Sequence, residues 1–125
     1  MITKIIIAGG RHFNDYALLK KTVDEAITNI KSILKGEVDI EIVSGGATGA
    51  DSLGEKYATE HGYQIKRFPA DWAKYGNAAG PIRNREMAAY SDCLICFWNG
   101  YSRGTKNMLD EAKKKDLTIK LVMYD

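Results

Sequence analysis

Seven of the twelve glycines fall in three short stretches, each directly after a run rich in β-branched or apolar residues: Gly9 with Gly10, Gly45 and Gly46 with Gly49, and Gly100 with Gly104. A glycine-rich turn that leads from a strand into a helix brings backbone N–H groups close to a ligand. It also sets them beside the positive end of the helix dipole, which suits phosphate. Arginine completes such a site, because its planar fork matches phosphate with two parallel bonds. Four of the five arginines, Arg11, Arg83, Arg85 and Arg103, stand in or beside such loops, whereas most lysines lie on predicted helix surfaces. Arg83 and Arg85 fall in the first turn of a predicted helix, where a cation opposes the dipole unless an anion faces it. That anion is either a ligand or a side chain such as Asp71 or Glu86.

Other polar residues near these turns have two readings each. Asp51, in the first turn of a helix, caps backbone N–H groups or accepts hydrogen bonds from ribose hydroxyls. Ser44, Thr48, Ser102 and Thr105 cap helices or bind phosphate. Trp72, Trp98 and Tyr101 stack on a base or anchor loops. Asn99, Asn107 and His12 are further candidates at the mouth of such a site.

Several familiar chemistries are missing. The stretch Ser44-Gly45-Gly46-Ala47-Thr48-Gly49 has neither G-x-G-x-x-G spacing nor the G-K-[ST] ending of a P-loop, which disfavours ATP or GTP hydrolysis. Cys93 and Cys96 lie three apart in a predicted strand and therefore point to opposite faces, so they neither chelate one metal nor close a disulfide. No metal-ligand spacing and no nucleophile-elbow motif is present. No metal is expected.

The elements that position these residues alternate in type. Residues 4–8 (KIIIA) read as a buried strand by length and β-branching. Tyr16–Leu34 follows a 3.6-residue apolar period, with Asn14 or Asp15 as N-cap and Gly36 as stop. Residues 39–43 form a second strand, Ala50–His61 a helix ending at Gly62, and residues 63–68 a third strand. A loop over 69–80 follows, then a helix opened by Pro81 and running to about Tyr90. Residues 93–97 (CLICF) are a fourth strand. A helix capped by Ser102 or Thr105 ends in Lys113-Lys114-Lys115, cations suited to its negative pole, and residues 117–124 are a fifth strand. This order demands parallel strands with right-handed crossovers: an α/β, doubly wound three-layer sandwich with helices on both faces. In such sheets ligands bind beyond the carboxyl ends of the strands.

The chain has 125 residues, 27% of them charged and 45% hydrophobic, with net charge +2. At roughly 150 residues per domain this predicts one globular domain over 1–125. The small net charge gives no electrostatic argument for nucleic acid. No apolar run approaches the ~18 residues that cross a bilayer, so no membrane association is expected, and the start MITKIIIAGG reads as a strand rather than a secretory signal. A cytoplasmic location is expected.

The segments AGGR (8–11), SGGATGAD (44–51), FPADWAKYGNAAGPIRNREM (68–87) and FWNGYSRGTKNM (97–108) together resemble the YspA/cpYpsA-related SLOG family, part of a wider superfamily of DprA/Smf and LOG-type Rossmann-like proteins. The resemblance covers nearly the whole chain. It implies a Rossmann-like fold with strand order 3-2-1-4-5 and a pocket built from these loops for a nucleotide or a nucleotide-derived, ADP-ribose-like ligand. It implies phage-related settings and a role as a sensor of nucleotide-like signals, and it makes a homodimer plausible. LOG-type enzymes of the superfamily cleave the N-glycosidic bond of nucleoside monophosphates with an arginine on the third helix and a glutamate two residues after the threonine of a glycine-rich motif. Arg85 or Arg83 matches the arginine. The position two after Thr105 is Asn107, and an amide supplies no anion to an oxocarbenium-like transition state. Glu86 and Glu111 are the carboxylates left to substitute. DprA-like binding of single-stranded nucleic acid is the remaining alternative.

Overall fold

The computed structural model describes residues 2–125. Its elements are β1 (Ile2–Gly9), α1 (Tyr16–Leu34), β2 (Asp39–Ser44), α2 (Ala50–His61), β3 (Gln64–Arg67), α3 (Trp72–Tyr75) with a 3-10 turn at Gly76–Ala78, α4 (Ala79–Tyr90), β4 (Cys93–Trp98), α5 (Arg103–Lys114) and β5 (Thr118–Met123). The strands form one sheet in the order β3-β2-β1-β4-β5, and all four pairings are parallel. The α/β sandwich with order 3-2-1-4-5 is therefore the observed fold.

Alternation along the central strands divides the core in two. Ile5, Ile7, Ile42, Ile95 and Phe97 face α1 and α2, with Leu19, Val23, Tyr57 and Ala58 packed against them. Ile6, Val43, Leu94 and Cys96 face α4 and α5, where Met87, Ala88, Met108 and Leu109 close the second layer. Each central strand is thus buried on both faces, as its continuous apolar run requires. Cys93 and Cys96 contribute to opposite cores, as their spacing dictates.

Caps decide the helix bounds. Asp15, not Asn14, accepts the Leu18 N–H at 3.0 Å. Lys35 adopts the left-handed conformation (φ 49°) and ends α1 one residue before Gly36. Gly62 ends α2 at φ 73°. Ser102, rather than Thr105, caps α5 and accepts the Thr105 N–H at 3.3 Å.

The stretch 69–80 departs from the expected loop. Asp71 accepts the Lys74 N–H at 3.1 Å and nucleates α3. The next helix begins at Ala79, two residues before Pro81. Proline is tolerated there because the first-turn N–H groups have no intrahelical partner.

Candidate functional site

The glycine turns after β1 and β2 are joined by close backbone approach at the carboxyl edge of the sheet, and Gly104 of the third stretch lies on the cleft wall at the same edge. Gly9 packs on the end of β4 so tightly that a Cβ would lie 2.3 Å from the Phe97 carbonyl oxygen. The Gly10 carbonyl accepts the N–H groups of Phe13 and of Ala50, each at 3.2 Å, which joins the first turn to the start of α2. Gly49 has φ +77°, and a Cβ there would meet the Gly10 oxygen at 2.2 Å. Glycine is required at these points by chain-to-chain contact.

Above this seam lies a cleft of about 840 Å³, bounded by the turn 45–48, the first turns of α4 and α5, and the segment around Trp72. A volume of this order suits a nucleotide-sized ligand. Of the expected binding residues, Gly9, Arg11, Gly45, Gly46, Thr48, Asp51, Trp72, Arg83, Ser102, Gly104 and Thr105 lie on its wall.

Helical geometry selects the α4 contribution. Gly80, Arg83, Asn84 and Met87 are spaced three and four apart and share the face that lines the cleft. Arg85 and Glu86 lie on the exposed side of the same helix, away from the cleft. Arg85 and Glu86, expected above as catalytic candidates, thus stand off the cleft wall, and α4 brings Arg83 to it.

Arg83 is held firmly. Its Nη1 donates to the Gly45 carbonyl at 2.5 Å and its Nε to Asn84 Oδ1 at 3.0 Å. Asp71 and Glu86 are not among its hydrogen-bond partners. Burial pushes its pKa down, the Asp51 carboxylate opposes that, and the neighbouring Arg11 adds to it. Two guanidinium groups thus share one end of the cleft.

Asp51 is 5% exposed, and its Oδ2 accepts the Ala47 N–H at 3.3 Å. Burial raises its pKa to about 6, against the Ala47 hydrogen bond and the Arg83 charge. Among the described residues it is the sole carboxylate on the cleft wall, facing Arg11, Arg67, Arg83 and Arg103. Arg67 has its own counter-ion, with Nε and Nη2 both donating to Glu55 Oε1 at 3.0 and 2.8 Å.

Other expected residues serve the scaffold. Ser44 donates to Glu55 at 2.6 Å and accepts the Gly46 N–H at 3.0 Å, so its hydroxyl braces the turn and is not on the cleft wall. Asn99 Oδ1 accepts the N–H groups of Tyr101 and Ser102 at 2.8 and 2.9 Å, and Gly100 at φ +86° completes that turn outside the cleft. Gly10 and Gly49 act through the seam. Glu111 is buried beneath Lys114, whose Nζ lies 3.3 Å away, and does not reach the cleft. Trp98 donates to the Ser102 carbonyl at 3.0 Å and anchors the loop, while Tyr101, 88% exposed, and His12 stand off the cleft wall.

Asn84 was not among the expected residues. It is buried beneath the cleft, accepts from Arg83, and donates to Asn107 Oδ1 at 2.9 Å and to the Gly104 carbonyl at 3.4 Å. It therefore joins α4 to the first turns of α5. Its place on the Gly80–Arg83–Met87 face was the available signal. Among the described residues no group of three or more His, Cys, Asp or Glu side chains is placed to hold a metal ion, and no helix is long and apolar enough to cross a membrane.

Comparison with known proteins agrees with this architecture. The chain is 30% identical over 122 residues to the Gene 61 protein of Mycobacterium phage D29, a match that covers 93% of each chain. In structure it is similar to DNA processing protein A (DprA) from Streptococcus pneumoniae, with a TM-score of 0.71 at 17% identity, a likeness of fold. That match takes in 99% of this chain and 51% of DprA, so the chain spans about half the length of that protein. The profile of the YspA, cpYpsA-related SLOG family matches residues 3–75, more than half of the sequence. The chain belongs to the YspA, cpYpsA-related SLOG family.

Proposed function

We propose that residues 1–125 act as one domain that binds a nucleotide or a nucleotide-derived, ADP-ribose-like ligand in the cleft at the carboxyl edge of the sheet. Membership of the SLOG family supports nucleotide or nucleic-acid binding in general terms. The observation that carries the finer reading is the convergence of Arg11 and Arg83 on one end of a cleft whose sole carboxylate, among the described residues, is Asp51. Like charges held together in a partly dry site are costly unless an anion joins them. The N-terminus of α5 at Gly104 and the turn 45–48 offer backbone donors to phosphate oxygens, the Gly46 and Ala47 N–H groups in exchange for their bonds to Ser44 and Asp51. Trp72, 53% exposed at the outer wall, offers a face on which a base can stack.

A thermal-shift screen over nucleoside mono- and diphosphates, ADP-ribose and dinucleotides tests this reading. A ligand at 100 times its Kd stabilises the folded state by about 2.7 kcal/mol. The expected result is a shift with wild-type protein and Arg85→Ala that is clearly reduced in Arg83→Ala. No shift with any phosphorylated compound would overturn the reading.

A second reading is single-stranded nucleic-acid binding. The open cleft with Trp72 beside Arg67 and Arg103 favours it. It predicts a salt-dependent gel shift with oligonucleotides. The N-glycosidase reading has less support, since Asn107 stands where LOG-type enzymes carry glutamate and its amide oxygen already accepts from Asn84. Chromatography for free base after incubation with nucleoside monophosphates decides that point.

A further inference from the structure

Asp51 is an anion inside a site built for anions. Its Oδ2 takes the Ala47 N–H, one of the donors that the turn 45–48 would present to a phosphate. Across Gly45 it faces Arg83: a Cβ on that glycine would lie 2.7 Å from Arg83 Nη1 and 2.8 Å from Asp51 Oδ2. The carboxylate therefore already fills the two roles a ligand phosphate would fill, acceptor for the turn and counter-charge for the guanidinium. We propose that Asp51 is a built-in competitor of the anionic ligand, that the cleft takes up a proton on Asp51 as it takes up the ligand, and that binding consequently tightens as pH falls. This rests on the reading of the cleft as a nucleotide site.

The groups around Asp51 leave it as the one that titrates. From α4 comes Arg83, whose other charged neighbour is Arg11 in the turn after β1; guanidinium groups keep their charge in proteins, so neither is the titrating partner. On α2 itself stands Glu55. Burial would raise its pKa, but the hydrogen bonds from Ser44 and Arg67 prevail and hold it below the ordinary range. From β4 comes Cys96, whose thiol is pushed up to about 12 by burial and by Asp51 itself, so it stays neutral. Asp51, with a pKa raised to about 6 chiefly by burial, changes charge near neutrality. A phosphate arriving beside it raises that value further, so the bound state holds the proton more tightly than the free state.

The test needs ligands whose own charge is constant. ADP-ribose, whose pyrophosphate is esterified at both ends, and inorganic sulfate both meet that need. Calorimetric titration of each into wild-type protein is expected to show a Kd that weakens by up to about twentyfold between about pH 5.5 and about pH 7.5. Heats measured in buffers of different ionisation enthalpy are expected to show up to about one proton taken up per ligand bound at the upper end of that range. Asp51→Asn is expected to remove both effects and to bind at the higher pH as tightly as wild type does at the lower one. If that variant does not fold, the proton count on wild type decides by itself. Binding with a pH-independent Kd and no proton uptake would overturn the proposal while leaving the cleft as the binding site. Asp51→Asn binding more weakly than wild type with the pH dependence intact would also overturn it. No binding of either compound at any pH would overturn the reading of the cleft, and the proposal with it.

Discussion

Arg83 and Gly45 are joined by a hydrogen bond of 2.5 Å from the guanidinium Nη1 to the glycine carbonyl. That bond ties α4 to the turn after β2, two elements separated in sequence by a whole crossover. A Cβ at position 45 would displace both partners of this corner, the Arg83 guanidinium and the Asp51 carboxylate.

Arg83 should carry much of the ligand affinity. A charged hydrogen-bonded contact contributes about 1.5–3 kcal/mol, so Arg83→Ala is expected to weaken binding by about tenfold to a hundredfold. Arg83→Lys keeps the charge but loses the fork and should recover part of that loss at most. Arg85→Ala, on the exposed side of α4, should leave the Kd within about twofold of wild type. Calorimetric titration of the three variants checks all of this.

Gly49→Ala should damage the fold itself. The position combines φ +77° with a Cβ site 2.2 Å from the Gly10 oxygen, so neither the backbone conformation nor the space is available. A loss of more than about 2 kcal/mol in denaturant unfolding is expected. Gly46→Ala meets no neighbouring atom within 4 Å and should cost only the strain of its φ of +76°, about 1 kcal/mol.

The free protein should lose stability as pH rises through the Asp51 titration. The folded-state pKa of about 6 lies above the ordinary 3.8, so the folded state binds the proton more tightly. The stabilisation this gives is full below about pH 4 and is lost as pH rises through about 6. Asp51→Asn, which cannot ionise, is therefore expected to be more stable than wild type by about 1–3 kcal/mol above pH 7 and about equal to it near pH 4. Chemical unfolding at the two pH values measures the difference.

Asn84→Ala removes one acceptor for Arg83 and the donors to Asn107 and Gly104. Leaving those buried partners unsatisfied should cost about 1–3 kcal/mol in stability. Ligand affinity should fall as well, since Arg83 loses one of its two tethers. Unfolding and binding measured on the same variant separate the two effects.

Much of this architecture was legible in the residues. Tyr16–Leu34 and Ala50–His61 have the expected bounds because apolar period and capping residues agree there. Strand order carries no periodic signal, and it came instead from motif resemblance, now met by the observed sheet. The four-residue helix Trp72–Tyr75 is too short to show a period, and only Asp71 at its cap marked it. The choice of Arg83 over Arg85 was readable from the Gly80–Met87 spacing, but composition drew attention to both alike. Ser44 and Asn99 look identical in sequence to phosphate-binding residues. Their partners, Glu55 and the 101–102 amides, appear only once the chain has folded. The raised pKa of Asp51 depends on burial, which a first-turn aspartate does not advertise.

On the proposed reading a sugar-phosphate ligand sits between the turn 45–48 and Arg83. Amide and arginine Nε chemical shifts recorded during titration with ADP-ribose locate the ligand directly. The largest saturable shifts are expected on Gly45, Gly46, Ala47, Thr48, the Arg83 Nε and the first turn of α5. Saturable shifts confined to surfaces remote from these residues, or none at all, would contradict it.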